Sequence, residues 1–288
     1  MRYHSPTSFD DAVKLASDST GVTRFLAGGT DVLVQLRSGL VTPDDLIDLK
    51  NIPGVSDIAR QPDGSWRIGV AVSGAQMGAN AELVRDWPGI VEGMELVGST
   101  QVQGRATLIG NLCNGSPAAD SVPGMVAACA VVTVAGPGGT REVAVADLPV
   151  GPGKTALKPG EVIASLTLPA RGANGGDAYQ RFIPRTEMDI AVVGCAVNLR
   201  LEGDVISEAR VVLGAVAPTV VLVPDAAVAI LGTTLDDGAV EALVAAAVAA
   251  CRPITDKRGT KEFRTHVAGV LAGRVARIAY NRAKGAQL

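Results

Sequence analysis

The sequence predicts an α+β protein made of two small α/β units and a C-terminal unit in which helices cover an antiparallel sheet. Three observations support this fold class. Residues 1–53 alternate helical and extended patterns around a glycine turn, residues 54–172 combine β-branched runs with short helices, and residues 177–288 hold three β-branched runs followed by alanine-rich helices. The chain has 288 residues, 47% of them hydrophobic, which is enough for two or three domains.

The first unit, residues 1–53, opens with a helix of about ten residues. Apolar residues recur at helical spacing over residues 9–16, and Ser8 with Asp11 three positions later is typical of a capping box. The next predicted elements are an apolar run and Gly-Gly turn at residues 25–29, a helix that starts at Asp31 and ends at Gly39, and a short strand at 46–49.

The second unit, residues 54–172, mixes short helices with strands, most of them antiparallel. A turn-rich segment at residues 136–139 lies between two β-branched runs and predicts a β-hairpin. The other predicted elements are strands at 66–70 and 162–168 and helices near 79–84, 90–97 and 122–130.

The third unit, residues 177–288, follows a segment, 172–176, that is predicted to be a flexible linker because it consists of Gly, Ala and Asn. Its expected architecture is a three-stranded antiparallel sheet with a helical layer. The predicted strands are 189–201, 205–213 and 219–223, and the predicted helices are 226–231, 237–251 and 260–283.

The glycine turn of the first unit is the first candidate site. Gly28 and Gly29 stand between an apolar run and a helix, where backbone N–H groups lack internal partners and no Cβ keeps a ligand away. Such a turn suits a phosphate. The alternative is a plain strand-to-helix turn in which Thr30 or Asp31 is the helix cap.

A second candidate site is the stretch at residues 107–121. Gly, Asn, Ser, Pro and Asp are dense there, which predicts an irregular polar loop that a ligand can approach closely. Its Asn and Asp side chains offer hydrogen bonds to hydroxyl groups.

Composition excludes several classes of function. A net charge of -3 and an aromatic content of 3% argue against nucleic-acid binding, and the apolar runs are too short for a membrane span. The N-terminus has no secretory signal, so we expect a cytoplasmic protein. The four dispersed cysteines and two distant histidines predict no metal site, no iron–sulfur cluster and no catalytic triad in this chain.

Several stretches together carry a resemblance to a known family. They are LAGGTD at 26–31, TLIGNLCNGSPAADSVP at 107–123, RFIPRTEMDIAVVGCAV at 181–197, ARVVLGAVAPT at 209–219 and RPITDKRGTKEFR at 252–264. In this order they resemble the FAD-binding subunit of the molybdenum hydroxylases, the family of xanthine dehydrogenase and carbon monoxide dehydrogenase. The resemblance covers nearly the whole chain.

The resemblance implies a vanillyl-alcohol-oxidase-like (PCMH-type) FAD-binding fold, with FAD between two N-terminal subdomains, and it implies which residues hold the cofactor. The pyrophosphate stretch comprises Phe25, Leu26, Ala27, Gly28, Gly29, Thr30, Asp31 and Val32. The second phosphate and flavin loop comprises Thr107, Leu108, Ile109, Gly110 and Asn111. Asp120 and Ile163 stand at positions that lie near the FAD in relatives.

Arg181 stands where relatives carry a basic residue near the flavin ring. A cation there would stabilise the negative charge of the reduced ring and raise its potential. The alternative is an exposed surface arginine.

Two residues depart from the family pattern. Ile109 and Ala106 replace glycines that are common in relatives. Because a β-branched residue resists positive φ, we expect Ile109 to adopt an ordinary backbone conformation and to cover the cofactor with its side chain.

The function that the resemblance implies is electron transfer. The FAD subunit would take electrons from [2Fe-2S] clusters of a small iron–sulfur subunit and pass them to NAD+, O2 or a quinone, while a large molybdopterin subunit holds the molybdenum cofactor. The implied assembly is a dimer of heterotrimers. The alternatives are a self-sufficient flavin oxidoreductase of the same fold and a cofactor-free anion-binding or scaffold module. The substrate of the complex stays open.

Overall fold

The structure is a computed structural model that describes residues 1–285. Its first part is a three-stranded sheet in the order β1-β3-β2, in which β3 pairs in parallel with both neighbours. The strands are β1 Arg2–His4, β2 Thr23–Leu26 and β3 Asp45–Asp48, and the helices are α1 Phe9–Asp18 and α2 Val32–Arg37. The predicted helix at residues 9–16, the predicted helix from Asp31 to Gly39 and the predicted strand at 46–49 are therefore present.

Strand β1 has no apolar pattern and was not expected. It is held by the buried carboxylate of Asp45, which accepts hydrogen bonds from Arg2 (2.8 and 2.7 Å), His4 Nε2 (2.7 Å) and Ser19 Oγ (2.7 Å). These hydrogen bonds hold the pKa of Asp45 well below its usual range, and the bond from Arg2 has the largest effect. Polar contacts with residues distant in sequence thus form this strand.

The second part is built around a five-stranded antiparallel sheet in the order β4-β5-β10-β6-β7. Its strands are β4 Ile58–Arg60, β5 Trp66–Gly69, β6 Val131–Gly136, β7 Gly139–Ala144 and β10 Val162–Leu168, and a separate pair is formed by β8 Pro149–Gly151 and β9 Lys154–Thr155. Its helices are α3 Gly74–Gly78, α4 Ala81–Asp86, α5 Pro88–Glu95, α6 Thr100–Gln103, α7 Leu108–Cys113 and α8 Ser121–Ala127. The predicted hairpin at 136–139 and the strand at 162–168 are confirmed.

The prediction of an irregular loop at residues 107–121 is wrong over its first half. Residues 108–113 form helix α7, because Thr107 Oγ1 caps it by accepting from Gly110 N at 2.9 Å. Leu108, Ile109 and Leu112 lie at helical spacing and are buried. The abundance of small polar residues concealed this apolar face.

The third part is an antiparallel sheet in the order β11-β12-β13-β14, packed against a long helix. The strands are β11 Gly175–Phe182, β12 Val193–Glu202, β13 Val205–Gly214 and β14 Val221–Leu222, and the helices are α9 Pro224–Ile230, α10 Asp237–Ala250 and α11 Lys261–Ala283. The three predicted helices are confirmed. The sheet has four strands among the described residues, so the prediction of three was wrong.

The missed strand, β11, begins inside the predicted linker. Gly176 lies in this strand, and a Cβ built on it would overlap the carbonyl O of Ala279 and lie 2.6 Å from Ala283 N in α11. The glycine is therefore required for close approach of helix and strand, and the interpretation of 172–176 as a flexible linker was wrong for its last two residues.

Strand β11 also joins the second and third parts. Glu92 of α5 accepts a hydrogen bond from Tyr179 N of β11 at 2.9 Å, and it also accepts one from Arg282 Nη2 of α11. The arrangement of helices and sheets agrees with the predicted α+β class. None of the helices within residues 1–285 combines the length and the apolar character that a membrane crossing needs.

We expect Gly176→Ala to destabilise the protein by about 2 kcal/mol, because the added Cβ forces α11 away from β11. Gly138→Ala is the matched control, since a Cβ on Gly138 meets no atom within 4 Å. Thermal unfolding of both variants measures the effect, and equal midpoints would contradict the close-approach role of Gly176.

Candidate cofactor site

A cavity of about 580 Å³ lies where the first and second parts of the fold meet. Three stretches of chain form its walls. They are the glycine turn with the residues around it (23–35), helix α7 with the residues before it (106–114), and a third stretch around β9 and β10 (153–163). Leu49, Val70 and Val97 add apolar surface.

The glycine turn and the start of α7 are in direct backbone contact. A Cβ built on Gly28 would overlap the carbonyl O of Arg105 and lie 3.2 Å from the Cα of Ala106. Gly29 has a φ of +81°, a conformation that suits glycine. The two candidate stretches, about eighty residues apart in sequence, therefore form two walls of one cavity.

The glycine turn presents free hydrogen-bond donors. Within residues 1–285, no backbone oxygen accepts from the N–H groups of Gly28, Gly29 or Thr30. Asp31 stands at the N-cap position of α2, but its side chain makes no capping bond. Asp31 is thus the N-cap residue that the alternative of a plain turn named, but its side chain leaves the N–H groups of the turn able to donate to an anionic ligand.

Helix α7 accommodates the two departures from the family pattern. Ile109 has no positive φ, as expected, and its side chain is 3% exposed, so it belongs to the hydrophobic core and only borders the cavity. Ala106 is buried behind Gly28. A regular helical turn thus replaces the glycine-rich loop that the pattern suggests.

Most of the predicted site residues line this cavity. They are Phe25, Ala27, Gly28, Gly29, Thr30, Asp31, Val32, Thr107, Ile109, Gly110, Asn111 and Ile163. Leu26 and Leu108 are buried in the protein instead, at 8% and 1% exposure. Their side chains support the walls from behind.

Asp120 and Arg181 are not among the residues that line the cavity. They form a buried ion pair in which Arg181 Nη1 donates to Asp120 Oδ2, while the hydroxyl of Tyr179 donates to Asp120 Oδ1 at 2.8 Å. The side chain of Arg181 is only 5% exposed, so the alternative of an exposed surface arginine is wrong. Arg181 Nε is buried without a hydrogen-bond partner among the described residues.

This buried cluster connects to the cavity wall through Asn111. Asn111 Oδ1 accepts from Ser121 Oγ at 2.7 Å, and Ser121 directly follows Asp120. Burial raises the pKa of Asp120 to about 6, against the opposing effects of Arg181 and Tyr179. Asp120 and Arg181 thus lie behind the cavity wall and are connected to it through Ser121.

Sequence reasoning predicted only Ile163 of the third wall and missed the rest of it. Gly153, Thr155 and Leu157 line the cavity from the β8-β9 hairpin and the residues after it, where no motif marks them. The hairpin is placed by a backbone hydrogen bond from Gly153 N to Gly115 O at 2.9 Å. This contact depends on tertiary structure, so no local sequence pattern predicts it.

Few charges face the cavity. In the described part of the chain, the charged lining residues are Arg24, Asp31 and Glu161. Glu161 is paired with Arg141 at 2.8 and 2.7 Å, and this pairing lowers its pKa to about 2. Burial raises the pKa of Asp31. An anionic ligand would therefore be held mainly by backbone donors.

Matches to known proteins extend over nearly the whole chain. Residues 1–171 match the family model of the FAD binding domain in molybdopterin dehydrogenase, and residues 178–279 match that of the CO dehydrogenase flavoprotein C-terminal domain. The carbon monoxide dehydrogenase medium chain of Afipia carboxidovorans is 33% identical over 98% of this chain and 97% of its own length. The xanthine dehydrogenase FAD-binding subunit of Escherichia coli O157:H7 is 30% identical over 95% and 94%, respectively. A chain of the reconstituted CO dehydrogenase from Oligotropha carboxidovorans matches with a TM-score of 0.93 and 32% identity, covering 98% of each chain.

We expect Arg181→Met to make stability strongly pH-dependent. The variant leaves the Asp120 carboxylate buried without its cation, which raises its folded-state pKa further above the value in the unfolded chain. A raised pKa means that stability present at low pH is lost as pH rises, so the unfolding free energy should fall by about 2 kcal/mol or more between pH 5 and pH 8 relative to the parent. Arg181→Lys keeps the charge and is the control. If urea unfolding gave parent and Arg181→Met the same dependence of stability on pH across this range, the result would contradict a buried ion pair between Arg181 and Asp120.

Proposed function

This chain belongs to the family of FAD-binding subunits of the molybdenum hydroxylases, and we propose that it is the electron-transferring flavoprotein of a heteromeric enzyme of that family. The observation that supports this proposal is the glycine turn with its unpaired N–H groups, closed by α7 into one cavity. This arrangement suits the diphosphate of a dinucleotide, because backbone donors converge where no side chain blocks access.

The residues that line the cavity fit FAD. The N–H groups of Gly28, Gly29 and Thr30 would bind the diphosphate, with Asp31 and Val32 at the start of α2 beside it. Bound FAD would supply one-electron and two-electron redox chemistry. This chain's own part is to bind and orient the cofactor.

The walls around the rest of the cavity would exclude water from the ring system. Phe25, Val70 and Ile163 contribute apolar surface, while Thr107 and Asn111 offer polar groups. Arg181 and Asp120 would act from behind Asn111, where the positive charge of Arg181 would favour a reduced, anionic ring and Asp120 would offset part of that charge.

The partners follow from the family. Relatives are named medium chain and FAD-binding subunit, which describes one component of a larger enzyme. We propose that a small subunit with [2Fe-2S] clusters delivers electrons to this chain, that a large subunit with the molybdenum cofactor oxidises the substrate, and that the assembly is a dimer of heterotrimers. NAD+, O2 or a quinone would take the electrons.

The proposed organisation has FAD-binding subdomains at residues 1–53 and 54–172 and a C-terminal domain at 177–288. In this division the cavity lies between the first two subdomains, since residues 23–49 and residues 70–163 line it. A cytoplasmic location stays a prediction from the sequence.

Co-purification of the chain with its partner subunits tests the proposal. We expect one FAD per copy of this chain, with iron and molybdenum present in the complex and absent from the isolated chain. The isolated chain should reduce artificial acceptors at most. Turnover of a substrate by the isolated chain would favour the self-sufficient flavin oxidoreductase, and a colourless chain from flavin-replete cells would favour the cofactor-free scaffold.

We expect Gly28→Ala to weaken FAD binding about tenfold or more. Its Cβ overlaps Arg105 O, so the turn and α7 must move apart by enough to misplace the N–H donors, at a cost of about 1–3 kcal/mol. Gly104→Ala is the control close to the same contact, because its added Cβ comes no nearer than 3.4 Å to another atom. FAD titration followed by flavin fluorescence gives both dissociation constants, and circular dichroism checks the fold. Equal FAD affinities of Gly28→Ala and Gly104→Ala would argue against the proposed diphosphate site.

A further inference from the structure

The C-terminal end of α7 is where the three walls of the cavity join. The side-chain amide of Asn114 donates from Nδ2 to Asp31 Oδ1 at 3.2 Å and accepts at Oδ1 from Gln35 Nε2 at 3.2 Å. The next residue, Gly115, accepts the backbone hydrogen bond from Gly153. We call Asp31, Asn114 and Gln35 the amide bridge.

We infer that Asn114 is a positioning residue of the cofactor site, which acts through the amide bridge by holding α2 and the glycine turn against α7. The inference rests on the proposed function in one respect, namely that the ligand of the cavity is FAD. It assigns Asn114 no contact with the cofactor. Its action is on Asp31, the N-cap residue of α2, and on Gln35, the fourth residue of that helix.

Helix α2 depends on such a connection because it is poorly anchored by apolar packing. None of its six residues is buried, and Leu33 and Val34 are 48% and 65% exposed. A helix this short is not stable by itself, so tertiary contacts must hold it. The amide bridge is a side-chain contact that joins α2 directly to α7 on the cavity side.

An asparagine suits this position because its amide is both donor and acceptor. The Asp31 carboxylate requires a donor, and the Gln35 amide nitrogen requires an acceptor. An aspartate at position 114 could still accept from Gln35, but it would place a second carboxylate beside Asp31. A hydrophobic residue could serve neither partner.

The contact that holds the third wall predicts which part of the site would change when the Asn114 side chain is lost. The β8-β9 hairpin is held through the backbone of Gly115, which a substitution at Asn114 leaves intact. Loss of the Asn114 side chain should therefore release α2 while the hairpin and α7 keep their places. The expected defect is local opening of one wall.

Two measurements on the full chain test the inference with Asn114→Ala. The first is the dissociation constant for FAD, which we expect to rise about tenfold, as the loss of two hydrogen bonds predicts. The second is the rate of tryptic cleavage after Arg37, an exposed residue at the end of α2, in the FAD-free chain. We expect this cleavage to be several-fold faster, because α2 opens more often.

Two further variants separate positioning from a general structural effect. Asn281→Ala removes an exposed asparagine from α11, far along the chain from the cavity, and should leave both measurements unchanged. Asn114→Asp should weaken FAD binding by repulsion from Asp31. The double variant Asp31→Asn with Asn114→Asp restores a donor and acceptor pair with the roles exchanged, so it should recover most of the FAD affinity that Asn114→Asp loses.

The outcomes are distinct. Unchanged FAD affinity and unchanged tryptic cleavage in Asn114→Ala would overturn the inference. Weaker FAD binding without faster cleavage of the FAD-free chain would also overturn it, because this result indicates direct contact between Asn114 and the cofactor. A parent chain that takes up no FAD would contradict the proposed function instead, and the tryptic cleavage would then still decide whether the amide bridge holds α2.

Discussion

The contact of the Gly28 backbone with the carbonyl of Arg105 is the constraint on which the cavity depends. A side chain at residue 28 would separate the parallel sheet of the first part from the helices of the second. With glycine there, the turn lies directly on the residues that lead into α7, and both the turn and the first turn of that helix line the cavity. The two walls can meet in this way only because residue 28 has no side chain.

Helix α5 also packs closely at two glycines, against the third part at Gly89 and against the start of α8 in the second part at Gly93. A Cβ on Gly89 would lie 2.6 Å from Asp177 Oδ2, and one on Gly93 would lie 2.8 Å from Asp120 O. Both glycines are in α5, which therefore packs closely against β11 and the start of α8. The ion pair of Arg171 and Asp177 is buried beside this contact, with the Arg171 guanidinium 4.2 Å from the centre of the Trp87 ring. Glycines in helices here allow close packing between parts of the fold.

Local sequence predicted the elements whose patterns are self-contained. Helix α1, the β6-β7 hairpin, strand β10 and the three C-terminal helices each carry their own period or turn, and each is present. Strand β1 has no such pattern, since the buried Asp45 forms it. Strand β11 was hidden by glycines that serve packing, and α7 by polar residues that face the cavity while its leucines face the core.

For the cavity, the sequence predicted residues of two walls but only Ile163 of the third. The glycine turn and α7 carry recognisable residues, whereas the β8-β9 hairpin is placed by one backbone hydrogen bond. Arg181 shows most clearly what the sequence does not predict, because its residue type indicates a positive charge but not where the side chain points. In the structure that cation is neutralised by Asp120 and set behind Asn111.

This placement of charge explains why the site can rely on backbone donors. Arg24 lines the cavity, but its side chain is exposed, and a mobile, solvated charge attracts a diphosphate without holding it in one position. Fixed N–H groups at a turn that packing holds in place supply both attraction and orientation. The cost is that geometry must be kept by contacts outside the ligand, which is the task of the Gly28 contact on one side of the turn and of the amide bridge on the other. Affinity for the cofactor in this chain is therefore a property of how firmly its walls are joined, more than of any single charged side chain.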